Sequence, residues 1–292
     1  MATRKYIETE IESLASLGGV VSTYKEIAAT RITRTRNSVV KSHNFLSEIN
    51  KIFEQVKSSY KSEVKRLAKQ KKVKDMSKLS FVKHNSKTIY VFISSNTGLY
   101  GDIVERTFRL FEKNVKASDA AISVIGRLGL SLLQAANFPP PYIYFDFPDQ
   151  TVNEAKLREI AAYLIRFEKV VVFYQEFQTI VKQEPVVSDI SGNALSTSNA
   201  TSSPTPVVKF LFEPSLEGIL EFFEKQIFSS ILEQTIRDSQ LAKFASRLVT
   251  LDAAAENIHK RIFRMAFEAT RLKHREKNKK QNQTFSSMKL WT

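Results

Sequence analysis

The chain has 292 residues, 42% of them hydrophobic, which is enough to bury a sizeable core and excludes a disordered chain. It has no cysteine, which excludes disulfides and thiolate metal sites, and its four histidines (His43, His84, His259 and His274) are scattered without an HExxH-like pairing. The net charge of +14 has the sign of a nucleic-acid binder, but residues 1–74 carry 16 Lys/Arg against 7 Asp/Glu, residues 216–292 carry 14 against 9, and the middle is balanced at 14 against 14.

The start, "MATRKYIETEIE", has no apolar signal core and carries glutamate early, so it reads as neither a secretory signal nor a transit peptide. No stretch reaches the roughly 18 consecutive apolar residues of a membrane span. From Leu14 a 3–4 spacing sets in, through Leu17, Val21, Tyr24 and Ala28, and resumes at Phe45, Ile49, Ile52 and Val56. Between them the same register runs through Arg31, Thr35, Ser38 and Ser42, where it turns polar. That stretch marks either a change of helix partner or a locally hydrated coil. The first proline is Pro139, so nothing forces this helix to break before about residue 70. Gly18-Gly19 is a soft spot within it, at roughly 1 kcal/mol per glycine relative to alanine.

The middle alternates strands and helices. Strands are expected at 88–94, 121–125, 142–147 and 170–181, and helices at 102–116, 128–137 and 153–167. Strands separated by helices of this length imply right-handed crossovers and a mainly parallel sheet. The segment 188–206, "SDISGNALSTSNATSSPTP", is too polar to pack a core and reads as a mobile hairpin loop, with a return strand at 207–214. The last helix carries a cleaner seam: Phe244, Leu248, Leu251, Ala255, Ile258, Ile262, Met265, Ala269 and Leu272. Its spacings alternate 4 and 3 as in a left-handed coiled coil.

The expected architecture is therefore α/β: a long antiparallel coiled coil of N- and C-terminal helices plus a central α/β domain with a mainly parallel sheet. Residues 1–74 form the first helix, 75–215 the central domain, and 216–292 the last helix with a polar tail. Chain ends joined into one coil that carries a compact domain suggest a shaft or lever.

The stretch "SSNTGLYGD" at 94–102 follows a strand and precedes a helix, which is the setting of a phosphate loop. It lacks the Lys-Ser/Thr of a P-loop and the third glycine of a dinucleotide fingerprint, which argues against a nucleotide-binding enzyme. The run "KSSYKSEVKRLAKQKKVK" at 57–74 holds eight Lys/Arg and supports a competing reading as a basic coiled-coil nucleic-acid-binding or scaffolding protein. It has no aromatic platform beyond Tyr60, and charge runs at helix ends are commonly solvated faces.

Five segments, in order over nearly the whole chain, resemble the gamma subunit of F-type rotary ATP synthases. They are "VVSTYKEIAATR" (20–31), "SSNTGLYGD" (94–102), "QTIVKQEP" (178–185), "FEPSLEGILEFF" (212–223) and "SRLVTLDAAAENI" (246–258). The resemblance implies a rotor without catalytic, cofactor or metal residues of its own. It would stand inside a ring of α and β subunits, beside an epsilon-type subunit and on a membrane c-ring, coupling proton or sodium flow to the β subunits. Its place would be peripheral, on the cytoplasmic face of a bacterial plasma membrane, with no direct nucleic-acid partner. The contact residues it implies, at the β levers and the shaft bearing, are Tyr24, Arg31, Gly98, Leu99, Tyr100, Gly101, Arg247 and Asn257, with Lys280 and Gln281 from "NKKQ" at 278–281. Tyr100 stands where the family usually has a small cysteine, which makes it the expected bulky contact. The sequence departs from the family in having Asn96-Thr97 for Asp-Arg, Asp102 for a glycine, and Thr270, Lys273 and His274 at the directly aligned place of the closing Asn-x-x-Arg-Gln.

Overall fold

The structure is a computed structural model and describes residues 4–59, 82, 84–116, 118, 120–191 and 215–288. The expected return strand at 207–214 and most of the polar loop lie outside the described residues, as does the helix beyond residue 59. Two units are distinguished within the chain, residues 31–246 and a second made of 1–30 with 247–292.

In the first unit, β1 (Thr88–Ile93) lies at the centre of a five-stranded sheet with β2 (Ala121–Ile125), β3 (Tyr142–Phe145), β4 (Lys169–Phe177) and β5 (Gln183–Asp189). The order is β3-β2-β1-β4-β5, parallel except for the β4–β5 pair. Both faces of β1 are covered, so after Thr88 its sequence "TIYVFI" runs on in apolar and aromatic residues rather than alternating. Ile89, Val91 and Ile93 pack with Val170 and Val172 against α4 (Glu154–Leu164), through Leu157, Ile160 and Leu164, and against Phe228, Leu232 and Ile236 of α5 (Leu216–Met288). The opposite face is aromatic. Phe92 meets Phe108 and Phe111 of α2 (Ile103–Val115) at ring separations of 5.7 and 5.4 Å, and Phe111 meets Phe173 edge-on at 5.2 Å. On that face α3 (Arg127–Ala135) comes so close that a Cβ on Gly129 would lie 2.8 Å from Ser94 Cβ.

The expected strand 170–181 ends early, at Phe177, and a second strand, β5, begins at Gln183. The chain reverses at 178–182, where Gln178 N–H and Thr179 N–H donate to Lys182 O and the Thr179 hydroxyl accepts from Lys182 N–H. The hairpin turn therefore precedes the polar segment, and residues 188 and 189 belong to β5 instead of to a loop. The sequence hid this turn because no glycine, asparagine or proline marks it; side chains hold it. Pro185 is tolerated because β5 lies at the edge of the sheet among the described strands.

The terminal helices are α1 (Arg4–Ser59) and α5. In the first unit Ile49, Phe53 and Val56 of α1 pack against Leu220 and Ile227, with the Phe53 and Phe223 rings 5.9 Å apart. In the second unit Lys25 is ion-paired to Asp252 and Glu10 to Arg261, an antiparallel pairing. On α5 the expected positions Leu248, Leu251, Ala255, Ile258, Ile262, Met265, Ala269 and Leu272 are the less exposed ones.

On α1 one half of the expected seam is off by a residue. Val21, Ala28, Thr35, Ile49 and Val56 face inward as expected, but Leu17, Tyr24, Phe45 and Ile52 are exposed. Their places are taken by Gly18, Lys25, Leu46 and Phe53, and Ile32 and Val39 are buried beside the half-buried Arg31 and Ser38. A +4 step therefore replaces the +3 step, and Ile32 and Val39 supply apolar members in the stretch that reads as polar. Apolar residues at both steps made the two stripes indistinguishable by periodicity alone.

This register has a measurable consequence. Ile49→Ala, at a site 9% exposed, is expected to cost about 2–4 kcal/mol, while Phe45→Ala, at 49% exposure, costs under about 1 kcal/mol, as read by denaturant unfolding.

Candidate functional site

The strand order reverses between β1 and β4, and in doubly wound sheets ligands bind in the crevice that opens there at the carboxyl ends of the strands. The 94–102 stretch leads out of β1 at this place. Its amides behave as a phosphate loop's would, but their acceptor comes from the chain itself. Asn96 N–H donates to both oxygens of Asp149, Thr97 N–H to Oδ2 at 2.9 Å, and the Thr97 hydroxyl to Oδ2 at 3.0 Å. Asp149 is buried, and Lys243 of α5 brings its ammonium to 4.0 Å from it while donating to Ser94 O at 2.6 Å. The side chain of Lys243 is only 5% exposed. An internal carboxylate thus takes the Asn96 and Thr97 donors that a phosphate would need, and Lys243 of α5 lies beside it.

Asn96 binds outward as well. Its amide donates to Asp146 Oδ1 and Phe147 O, and its Oδ1 accepts from Arg127 N–H at the start of α3. Lys156 donates to the same Asp146 carboxylate at 2.9 Å; that bond first, then the one from Asn96, holds the Asp146 carboxyl below the usual range. Gly126 precedes α3 at φ +103°, and a Cβ there would lie 2.8 Å from Ser95 N, so only glycine fits.

The turn itself is shaped by Leu99 at φ +65° and Gly101 at φ +64°. Leu99 is 62% exposed, an apolar side chain at a left-handed backbone position that costs a non-glycine residue strain. Tyr100 is the reverse of its expectation. It is 3% exposed, its ring 6.2 Å from Phe244 and 6.0 Å from the Lys243 ammonium, and its carbonyl accepts from the Ser246 hydroxyl at 2.7 Å. A bulky aromatic fills space against α5 that a small side chain would leave open.

Among the other expected contact residues, Arg31 donates to Gln150 Oε1 at 2.9 Å, beside Asp149 in sequence. Gly98 and Gly101 are exposed with Leu99. In the second unit Tyr24, Asn257, Lys280 and Gln281 are exposed and Arg247 is half-buried. The structure therefore gathers Arg31 and the turn on one unit and the remaining five on the other. Sequence reasoning missed Asp149 and Lys243. Polar residues at 239, 240, 243 and 246, repeating with helical spacing inside an otherwise apolar stretch, were the available signal.

Above this crevice α5 carries Asp238, whose carboxyl is pushed up to about 6, chiefly by burial and further by Glu176 of β4, while His43 of α1 opposes the shift. His43 is itself held by Gln234, whose amide lies 3.0 Å from its Nε2.

Residues 3–276 match the family model described as ATP synthase, and the chain belongs to that family. Among similar curated proteins are the ATP synthase gamma chains of Mycoplasma mycoides (23% identical, 88% of each chain covered), Mycoplasma capricolum (24%, 86% of this chain and 85% of that one) and Halothermothrix orenii (22%, 88% of each). A solved central stalk and c-ring structure of Tetrahymena thermophila mitochondrial ATP synthase has the same fold, with a TM-score of 0.58 at 18% identity, covering 80% of this chain and 99% of that one.

The raised carboxyl of Asp238 makes a pH-dependent prediction. The fold disfavours its ionised form, so the penalty is absent below about pH 4, grows as pH rises toward about 6, and is constant above. Asp238→Asn is therefore expected to stabilise the protein by about 1–2 kcal/mol at pH 8, discounted for partial exposure, and to change little at pH 4. Thermal unfolding at the two pH values checks this.

Proposed function

We propose that this chain is the central-stalk rotor subunit of an F-type ATP synthase, coupling proton or sodium flow through a c-ring to conformational cycling of catalytic β subunits. The observation that carries the reading is the family match across residues 3–276, which takes in α1, the sheet domain and most of α5 together. The chain acts without an active site of its own. The engagement of the Asn96 and Thr97 amides by Asp149 supports this, since the phosphate-loop donors already have an acceptor.

As a rotor, the chain touches α and β subunits, an epsilon-type subunit and the c-ring, and its angle biases nucleotide affinity at the β subunits while their occupancy biases its angle. Among the described residues no helix is long and apolar enough to cross a membrane, which agrees with peripheral attachment; the side is the cytoplasmic face of a bacterial plasma membrane, as the bacterial gamma-chain relatives suggest. Basic side chains at the ends of the chain attract acidic lever segments yet leave the contacts exchangeable, because screened pairs are worth only about 0–1 kcal/mol each. At the turn, Leu99 is the contact residue in place of Tyr100, flanked by Gly98 and Gly101. Tyr24, Arg31, Arg247, Asn257, Lys280 and Gln281 complete the contact set.

Affinity capture of the tagged chain from detergent-solubilised native membranes tests this reading. Alpha- and beta-type ATPase subunits and c-ring components are expected to come with it. Their absence, or recovery of nucleic acid released by salt, would overturn it in favour of a basic nucleic-acid-binding coil.

A further inference from the structure

The inner face of α5 carries four polar residues at helical spacing, Ser239, Gln240, Lys243 and Ser246, all buried. Each is engaged in the carboxyl edge of the sheet. Ser239 donates to Gln175 Oε1 at 2.6 Å, and Gln175 of β4 in turn donates to Ile93 O at 3.0 Å. Gln240 donates to Pro148 O at 3.3 Å, Lys243 to Ser94 O at 2.6 Å, and Ser246 to Tyr100 O at 2.7 Å. One helix face thereby grips β4, the segment leaving β1 and the loop after β3.

Earlier on α5 the buried Ser230 and Thr235 bond back to their own helix and Glu224 accepts from Val82 N–H. The four buried polar groups within 239–246 instead all reach the sheet and its loops, which needs an explanation because apolar residues such as Phe228, Leu232 and Ile236 would hold the helix as firmly. The difference lies in direction. Apolar packing resists separation but has no angular preference, whereas hydrogen bonds weaken steeply with distance and angle. A slide of α5 by one turn, about 5.4 Å, or a rotation by one residue, about 100°, would break all four bonds together and leave their groups buried without partners.

We propose that this polar ladder, centred on Lys243, fixes the rotational and axial register of α5 on the sheet, and that Lys243 is a positioning residue for the transmission of torque between the domain and its long helix. The proposal rests on the rotor reading. Lys243 also reaches the 96–101 turn through Asp149, so the same ladder that locks the helix sets the conformation of the turn carrying Leu99. A rotor needs such a lock, because twist applied at one part of the helix is lost if the helix can turn in its seat.

The test uses the assembled complex in inverted membrane vesicles, measuring ATP hydrolysis and ATP-driven proton or sodium pumping side by side. Lys243→Met keeps the length of the stem, and Asp149 keeps its bonds from Asn96 and Thr97. The expected result is a several-fold fall in ions pumped per ATP hydrolysed. Ile160→Ala, on the core face of α4 and outside the ladder, is the control for lost stability and should lower the amount of complex without changing that ratio. An unchanged ratio in Lys243→Met, or an equal fall in Ile160→Ala, overturns the proposal. Ser239→Ala, which deletes one hydroxyl, is read the same way where Lys243→Met does not assemble. If wild-type complex containing this chain pumps no ions on ATP, the rotor reading fails; if only the variant ratio is unchanged, the ladder alone fails.

Discussion

Between Leu241 and Ser246, α5 is buried at every position, an unusual state for a helix that is otherwise half exposed. This follows from where the sheet places it. The reversal of strand order between β1 and β4 opens a crevice at their carboxyl ends, and α5 closes it with a lysine instead of leaving it to a ligand. A buried ammonium must be satisfied, and the chain meets that demand with Ser94 O and the Asp149 carboxylate. Asp149 in turn needs donors and takes the Asn96 and Thr97 amides, which fixes the turn that follows. The position of one helix thus determines the charge, the loop conformation and the absence of free phosphate-loop donors at residues 96 and 97.

The same constraint explains how an α/β sheet with a nucleotide-binding topology can serve a different purpose. Fold does not set function; the site does. Here the site faces inward and joins helix to sheet, and the exposed features nearby are Leu99 and its glycines. That division suits a member of the ATP synthase family whose work is mechanical: the interior holds a fixed geometry and the surface meets partners.

Much of the architecture was legible in the sequence. Continuous apolar runs marked parallel strands, and the 4–3 repeat from Leu248 to Leu272 located the α5 seam without error. The α1 seam was half legible, because Leu17, Tyr24, Phe45 and Ile52 offered an apolar stripe as good as the real one, and only packing decides between them. The 178–182 reversal was hidden because the Thr179 hydroxyl and the Gln183 amide, which donates to Thr179 O at 3.0 Å, do what glycine or asparagine usually advertises. Tyr100 was misread as a surface contact, since nothing local tells a tyrosine in a turn that Phe244, far along the chain, will cover it. The Lys243–Asp149 pairing was out of reach for the same reason: its partners are separated by most of a domain in sequence.

Whether this chain turns within an ATPase complex can be watched in single complexes. A bead or gold rod attached at Arg109, on the exposed side of α2 and outside the proposed contact set, in complexes fixed to a surface through their β-type subunits, reports rotation under the microscope. Unidirectional rotation is expected to start on addition of ATP and to stop when ATP is removed. Complexes that hydrolyse ATP while the attached probe stays still would contradict the rotor reading.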